Sequence, residues 1–361
     1  MTILPRRGHG PVEGDVVLPG DLILASPARA MLDSIAGSGD RYLSQVEIEN
    51  WLVELLRVGR EHRINEVRDL ARTVAAKLGR EAAFKSLDRL IGATLATRPA
   101  DGLKTPALRA QMAGIPYDER RIDALEELVQ TLGNTAPRTL PDLPADADRR
   151  RLLPFYEAYF SNYIEGTRFT LDEAEDIVMK DRVPTDRPID AHDIIGTYRV
   201  VADAEEIARV PTSPDELVEL LKARHALILE QRPGMNPGVF KSRNNQAGAT
   251  LFVAPRHVEG TLRAGFDLAA DLSSPFARAV YMMFLVAEVH PFDDGNGRIA
   301  RVMMNAELVH GQEVRIIIPT VYKDDYLAGL KGATNNRSLG ALVDILAFAQ
   351  RYTARVDFSD R

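Results

Sequence analysis

The sequence predicts an all-α protein, and three observations carry that expectation. Apolar residues recur at helical spacing along much of the chain, as in Val67, Leu70, Ala71, Val74 and Leu78 ahead of Gly79. Helix-start chemistry precedes two other runs: Ser26-Pro27, and Ser44 with Glu47 as a capping box. A wholly apolar stretch, Ala279 to Ala287, leads into a glycine-rich string, and a second helical pattern (Ile299, Val302, Met303, Ala306, Leu308, Val309) leads out of it.

Taken in order, the first helix runs from Pro27 through Ile35, and the second carries Val46, Ile48, Trp51, Leu52 and Leu55. The third stops at Gly79, and a fourth runs through Phe84, Leu87, Ile91 and Leu95. Pro99, Pro106 and Pro116 break the chain, another helix continues to Leu132, and Pro137, Pro141 and Pro144 mark a linker. A helical N-terminal domain is therefore expected over 1–135, a linker over 136–147 and a second domain over 148–361.

Whole-chain quantities exclude several classes. With 361 residues the chain is expected to form about two domains and to bury a core without staples. It has no cysteine, which rules out disulfides, thiol chemistry and zinc-thiolate sites. Its histidines show no metal-ligand spacing, and no Walker lysine loop or Gly-x-Gly-x-x-Gly is present. The longest apolar run is far short of a membrane span, and the first residues lack the apolar core of a signal peptide, so the expectation is a soluble cytoplasmic protein with no membrane partner. A net charge of −7 argues against a nucleic-acid wrapper.

The string His290-Pro-Phe-Asp-Asp-Gly-Asn-Gly-Arg298, with Arg301 three residues on, reads as a loop ending at a helix N-terminus. Gly295 and Gly297 allow successive N–H groups to converge on an anion there, where the helix dipole also favours negative charge. Arg298 and Arg301 share a helix face and can clamp phosphate oxygens. Asp294 is placed to hold Mg²⁺ between phosphates, and His290 to accept a proton from an attacking hydroxyl. Base, metal ligand, cradle and clamp together describe phosphoryl or nucleotidyl transfer. An EF-hand is excluded, because a loop starting at Asp293 or Asp294 would need its glutamate where Met304 or Asn305 stands. Phe292 is expected as a buried wedge.

This string resembles the signature of the Fic (filamentation induced by cyclic AMP) family at every fixed position. The similarity extends through Phe240 to Gly248 and Thr250 to Pro255, which resemble the family's flap hairpin, and through Tyr322 to Leu330. The resemblance implies a Fic-type helical core with a small β-hairpin flap, and a protein adenylyltransferase that moves AMP from ATP, with Mg²⁺, to a Ser, Thr or Tyr hydroxyl of a protein substrate. By that analogy His290 is the base, Asp294 carries the metal, Gly295, Asn296 and Gly297 hold phosphates, and Arg298 steadies the leaving pyrophosphate. Glycine at 297, where kinase-type relatives carry lysine, favours adenylylation. Tyr326 is expected to border the adenine, and Lys241, Asn245, Gln246, Thr250 and Phe252 to serve the flap and target docking.

Upstream, Ser161-Asn-Tyr-Ile-Glu165-Gly166 resembles the family's inhibitory motif in members whose inhibitory helix precedes the core. That helix is expected at about 150–166, with Glu165 paired to Arg301 and Ser161 beside it, so that the γ-phosphate clamp is taken and the resting enzyme self-restrained. Self-modification is expected on release. AMP removal, transfer of another nucleotide, or an antitoxin-like nucleotide sensor are the alternatives. Ala25 to Asp33 resembles the segment after the winged helix in AbiEi-type antitoxins. The surface over 41–98, with eleven Lys/Arg against eight Asp/Glu, is only mildly basic. The N-terminal unit is thus read as a docking or homo-oligomer module, and DNA binding is not expected of it.

Overall fold

The computed structural model of the protein describes residues 9–20, 22–57, 60–95, 97–99, 102–135, 139–142 and 147–358. Among these, sixteen α-helices and two short antiparallel hairpins bear out the all-α class. The chain divides into two compact units, Met1–Pro116 and Tyr117–Arg361.

The first unit contains β1 (Val16–Leu18), β2 (Leu22–Leu24), α1 (Pro27–Ala36), α2 (Gln45–Arg57), α3 (Glu61–Leu78), α4 (Glu81–Thr94) and α5 (Pro106–Met112). Start signals act as the sequence implies. Ser26 Oγ accepts from Arg29 N at 3.2 Å, while Ser44 and Glu47 exchange bonds of 2.7 and 3.2 Å as a capping box. Apolar stripes of α1 to α4 meet in one core that includes Leu32, Ile48, Leu52, Ile64 and Leu87. The β1–β2 hairpin was not expected: its three-residue strands are too short to show a period of two, and Val16, Val17, Leu18, Leu22 and Leu24 are not buried.

The second unit begins earlier than the linker expected at 136–147, and one helix explains the shift. In α6 (Glu119–Gly133), Ile122, Leu125, Leu128 and Leu132 are buried in the second unit's core, so this helix belongs to the second unit. Pro137 and Pro144 of that linker lie outside the described residues, and Pro141 bridges Glu313 of the second unit.

Next come α7 (Ala147–Ile164), α8 (Leu171–Lys180), α9 (Pro188–Ala202), α10 (Ala204–Ile207) and α11 (Pro214–Ile228). The flap hairpin, β3 (Gln246–Ala247) with β4 (Thr250–Leu251), precedes α12 (Val258–Leu268), α13 (Pro275–Val289), α14 (Asn296–His310), α15 (Lys323–Asn336) and α16 (Leu339–Thr353). Ser274 and Pro275 open α13, which is buried along nearly its whole length, and this is why its sequence lacks a polar face. It packs on α14 and α6, while α7 lies against α9 and α14, and α11 against α9, α12 and α14. The loop between α13 and α14 is thereby brought near the end of α7, the start of α9 and the end of α11. No helix among the described residues is long and apolar enough to cross a membrane.

Candidate active site

Helix α13 ends where His290 takes a left-handed conformation, φ 52° and ψ 61°, with its N–H still bonded to Val286 O at 2.9 Å. The chain turns around Phe292, which is fully buried, and the Asn296 amide accepts from Phe292 N and donates to Phe292 O, both at 2.8 Å. Asn296 was expected among the phosphate ligands; its side chain is committed to stapling the loop shut, and its backbone N–H lies in the first turn of α14. Gly295 sits at φ 75°, a conformation that favours glycine, and caps α14. The first α-helical bond runs from Ile299 N to Gly295 O at 3.0 Å, so the N–H groups of 296–298 belong to the open first turn, where an anion is favoured. Gly297, by contrast, has helical geometry, and a methyl group there would overlap Glu165 Oε1, so that the carboxylate would have to move aside.

Both arginines of α14 are buried and already paired. Arg301 donates through Nε to Ser161 Oγ at 3.0 Å, and through Nη2 to Ser161 O at 2.9 Å and Glu165 Oε1 at 2.7 Å. Burial opposes its charge, but Glu165 and Tyr326 outweigh burial and raise its pKa. Arg298 Nη1 meets the buried Asp193 carboxylate at 2.5 Å, and its Nη2 lies 3.4 Å from Asp294 Oδ2. Its Nε is buried with no hydrogen-bond partner, an unspent donor inside the site. Asp193 also takes Arg232, at 2.9 Å through Nε and 2.5 Å through Nη2, while Arg232 Nη1 lies 3.5 Å from Asp294 Oδ2. Asp294 Oδ1 accepts from Gly295 N at 2.7 Å.

His290 is stacked on Phe252 of the flap, centroids 3.8 Å apart and planes at 3°. Burial, then the Lys241 charge, lower its pKa to about 4, so the ring is neutral at neutral pH. Lys241 was expected to face a target, but it is buried beneath the flap, with Nζ 2.6 Å from Asn245 Oδ1 and 3.4 Å from Val289 O; burial lowers its pKa to about 8. Asn245 likewise turns inward and donates to Phe292 O at 2.9 Å. Lys241 thus reaches the last carbonyl of α13, where the turn at His290 ends the helix, and Asn245 reaches the loop beyond it. Gln246 remains exposed on β3, and Thr250 Oγ1 contacts the Asn335 amide at 3.1 Å. The flap is further held by Arg121 of α6, which donates to Leu251 O at 2.6 Å and pairs with Glu288 of α13.

Tyr326, expected at the adenine, is seated in the core, with its hydroxyl 3.6 Å from Met283 Sδ and in contact with Arg301. Sequence reasoning missed Asp193, Arg232, Arg121 and His225. Asp193 and His225 lie inside helical patterns and Arg232 just past one, and nothing local distinguishes them from ordinary core or surface residues.

Residues 214–308, which span α11 to α14 with the flap between them, match the model of the Fic/DOC family. The protein adenylyltransferase Fic of Nematostella vectensis is 25% identical over 273 residues, covering 71% of this chain and 60% of that protein. The protein adenylyltransferase fic-1 of Caenorhabditis elegans is 23% identical over 204 residues, 55% of this chain and 39% of its own length. The chain thus spans less than two thirds of these curated relatives. Among solved structures, a Fic-1 fragment from C. elegans aligns with a TM-score of 0.48 at 18% identity, covering 80% of this chain and 84% of that one. A Fic family protein from Desulfovibrio desulfuricans G20 aligns with a TM-score of 0.49 at 18% identity, covering 66% and 74%.

Proposed function

We propose, on the premise that residues 214–308 form a Fic/DOC-family domain, that this chain transfers AMP from ATP to a hydroxyl of a protein substrate and that Glu165 restrains it at rest. The observation that carries the reading is one loop holding a neutral imidazole at its start and an open helix N-terminus flanked by two buried arginines at its end.

The chemistry derives from the residues. His290 is unprotonated at neutral pH and takes the proton of the incoming hydroxyl. The hydroxyl oxygen bonds to the α-phosphorus, the bond from that phosphorus to the bridging oxygen breaks, and pyrophosphate leaves with the electron pair. First-turn N–H groups of α14 and the Arg298 guanidinium face the charge that develops. Asp294 fits Mg²⁺: one oxygen is committed to Gly295 N–H, while the other has only long contacts to two guanidinium groups. Mg²⁺ needs only one or two carboxylates when phosphate and water supply its remaining ligands. When bound, that ion supplies positive charge to the phosphates.

Restraint rests on the Glu165–Arg301 pair. The carboxylate fills space above Gly297 and occupies the guanidinium that would clamp a terminal phosphate. A substrate segment adding to the short β3–β4 edge would be held through main-chain bonds, with little demand on its sequence. The first unit is assigned to docking or self-association.

The test uses Glu165→Gly protein with ATP labelled on either the α- or the γ-phosphate. Protein-bound α-label with release of pyrophosphate is the expected result. Protein-bound γ-label would make the enzyme a kinase and overturn adenylylation.

A further inference from the structure

We propose that His225 is a positioning residue for the reaction proposed above, on which this inference rests: its imidazole locks the phosphate cradle to the chain that leads into the flap. His225 lies on α11, is fully buried, and stacks on Phe292 with centroids 3.8 Å apart and planes at 5°. Its Nε2 lies 3.1 Å from the Asp294 carbonyl oxygen, and its Nδ1 lies 2.9 Å from Gly238 N. A carbonyl can only accept and an amide N–H can only donate. Nδ1 must therefore carry the lone pair and Nε2 the proton, so the partners themselves assign one neutral tautomer with both nitrogens in use.

The ring also bears on Gly295. A methyl group at Gly295 would lie 3.5 Å from His225 Cδ2 and Nε2. One imidazole thus meets the wedge of the loop, the carbonyl before the helix-capping glycine, and the chain entering the flap. The same two segments are joined again beyond it, by Lys241 N to Pro291 O at 2.9 Å and by Phe240 packing on Phe292 at 5.3 Å. Fixing the Asp294 carbonyl fixes the peptide plane between Asp294 and Gly295, and with it the approach to the open first turn of α14. A histidine that merely filled the core would need its shape but not this particular pair of bonds.

Three substitutions separate those roles, each made in the Glu165→Gly background. His225→Phe keeps the stack and loses both bonds. In His225→Asn the amide oxygen can replace Nδ1 toward Gly238, and in His225→Gln the amide nitrogen can replace Nε2 toward Asp294. The expected result is a KM for ATP about tenfold higher in the Phe and Asn variants, as for a lost hydrogen bond, and substantially restored in the Gln variant. Amide exchange, measured without nucleotide, is expected to quicken together in 292–297 and 238–241 of His225→Phe. Unchanged KM in His225→Phe, or losses in all three variants that track thermal stability without rescue by Gln, would overturn the proposal. If the parent variant transfers no AMP, the functional reading fails. The exchange experiment still decides His225: coupled quickening supports the lock, and exchange confined to α11 refutes it.

Discussion

Two histidines bracket the site, and both are held neutral: His290 by burial and the Lys241 charge, His225 chiefly by burial, each with a pKa lowered to about 4. In an unfolded chain such rings titrate near ~6.5. The folded state therefore binds fewer protons than the unfolded state between those values. The stability the two rings contribute is complete above the unfolded value and is lost as pH falls toward about 4. Thermal midpoints measured from pH 8 to pH 4 are expected to drop over the lower half of that range, and His225→Phe should flatten the drop. A midpoint rising on acidification would contradict the assignment. The same lowering predicts that the acid limb of kcat/KM lies well below the ordinary histidine value, and that Lys241→Met moves it upward by removing the adjacent charge.

At the scale of elements, the proposed restraint is placed at one joint, where the end of α7 meets the start of α14 through the Glu165–Arg301 pair. Glu165 stands one residue past α7, and Gly166 at φ 108° stops the helix, so the helix end itself presents the carboxylate to α14. The joint is held from outside by Arg168, which donates to Tyr163 O at 2.7 Å. Gly297→Ala is expected to push the Glu165 carboxylate off α14, because the added methyl would share its space. Amide exchange over 160–166 should then quicken in this variant, while Gly332→Ala, whose methyl makes only ordinary contact with Ser338, leaves that segment unchanged. Equal protection in wild type and Gly297→Ala would refute the steric account.

This joint was legible in the sequence because its partners are short motifs with fixed chemistry: a carboxylate before a glycine, and two arginines at helical spacing. The flap hairpin was legible too, but two of its residues, Lys241 and Asn245, were misread for an equally physical reason. A polar loop suggests solvent-facing groups, but the left-handed turn at His290 ends α13 and exposes the carbonyls of 289 and 290, and Lys241 and Asn245 turn inward to them. Asp193, Arg232 and His225 depend on the register of helices far apart in sequence, which no local pattern encodes.

For the molecule as a whole, the division after Pro116 corrects the position that the prolines suggested. Proline marks a break in the chain, but a domain boundary is set by which core an apolar face joins, and Ile122, Leu125, Leu128 and Leu132 join the second. A fragment beginning at Tyr117 is expected to unfold cooperatively. One beginning at residue 136 loses those four side chains, at about 1.5–3 kcal/mol each, and the Arg121 clamp on the flap. That loss is on the order of a domain's total stability of roughly 5–15 kcal/mol, so the shorter fragment should fail to fold; equal thermal midpoints would contradict the assignment. The central claim, that Glu165 gates AMP transfer by His290, is tested most directly by intact-mass spectrometry of wild type, Glu165→Gly, and Glu165→Gly with His290→Ala, each incubated with Mg²⁺ and ATP. AMP adducts abundant in the single variant, scarce in wild type and absent from the double variant are the predicted result. Equal adducts in wild type and the single variant, or adducts that survive loss of His290, would contradict it.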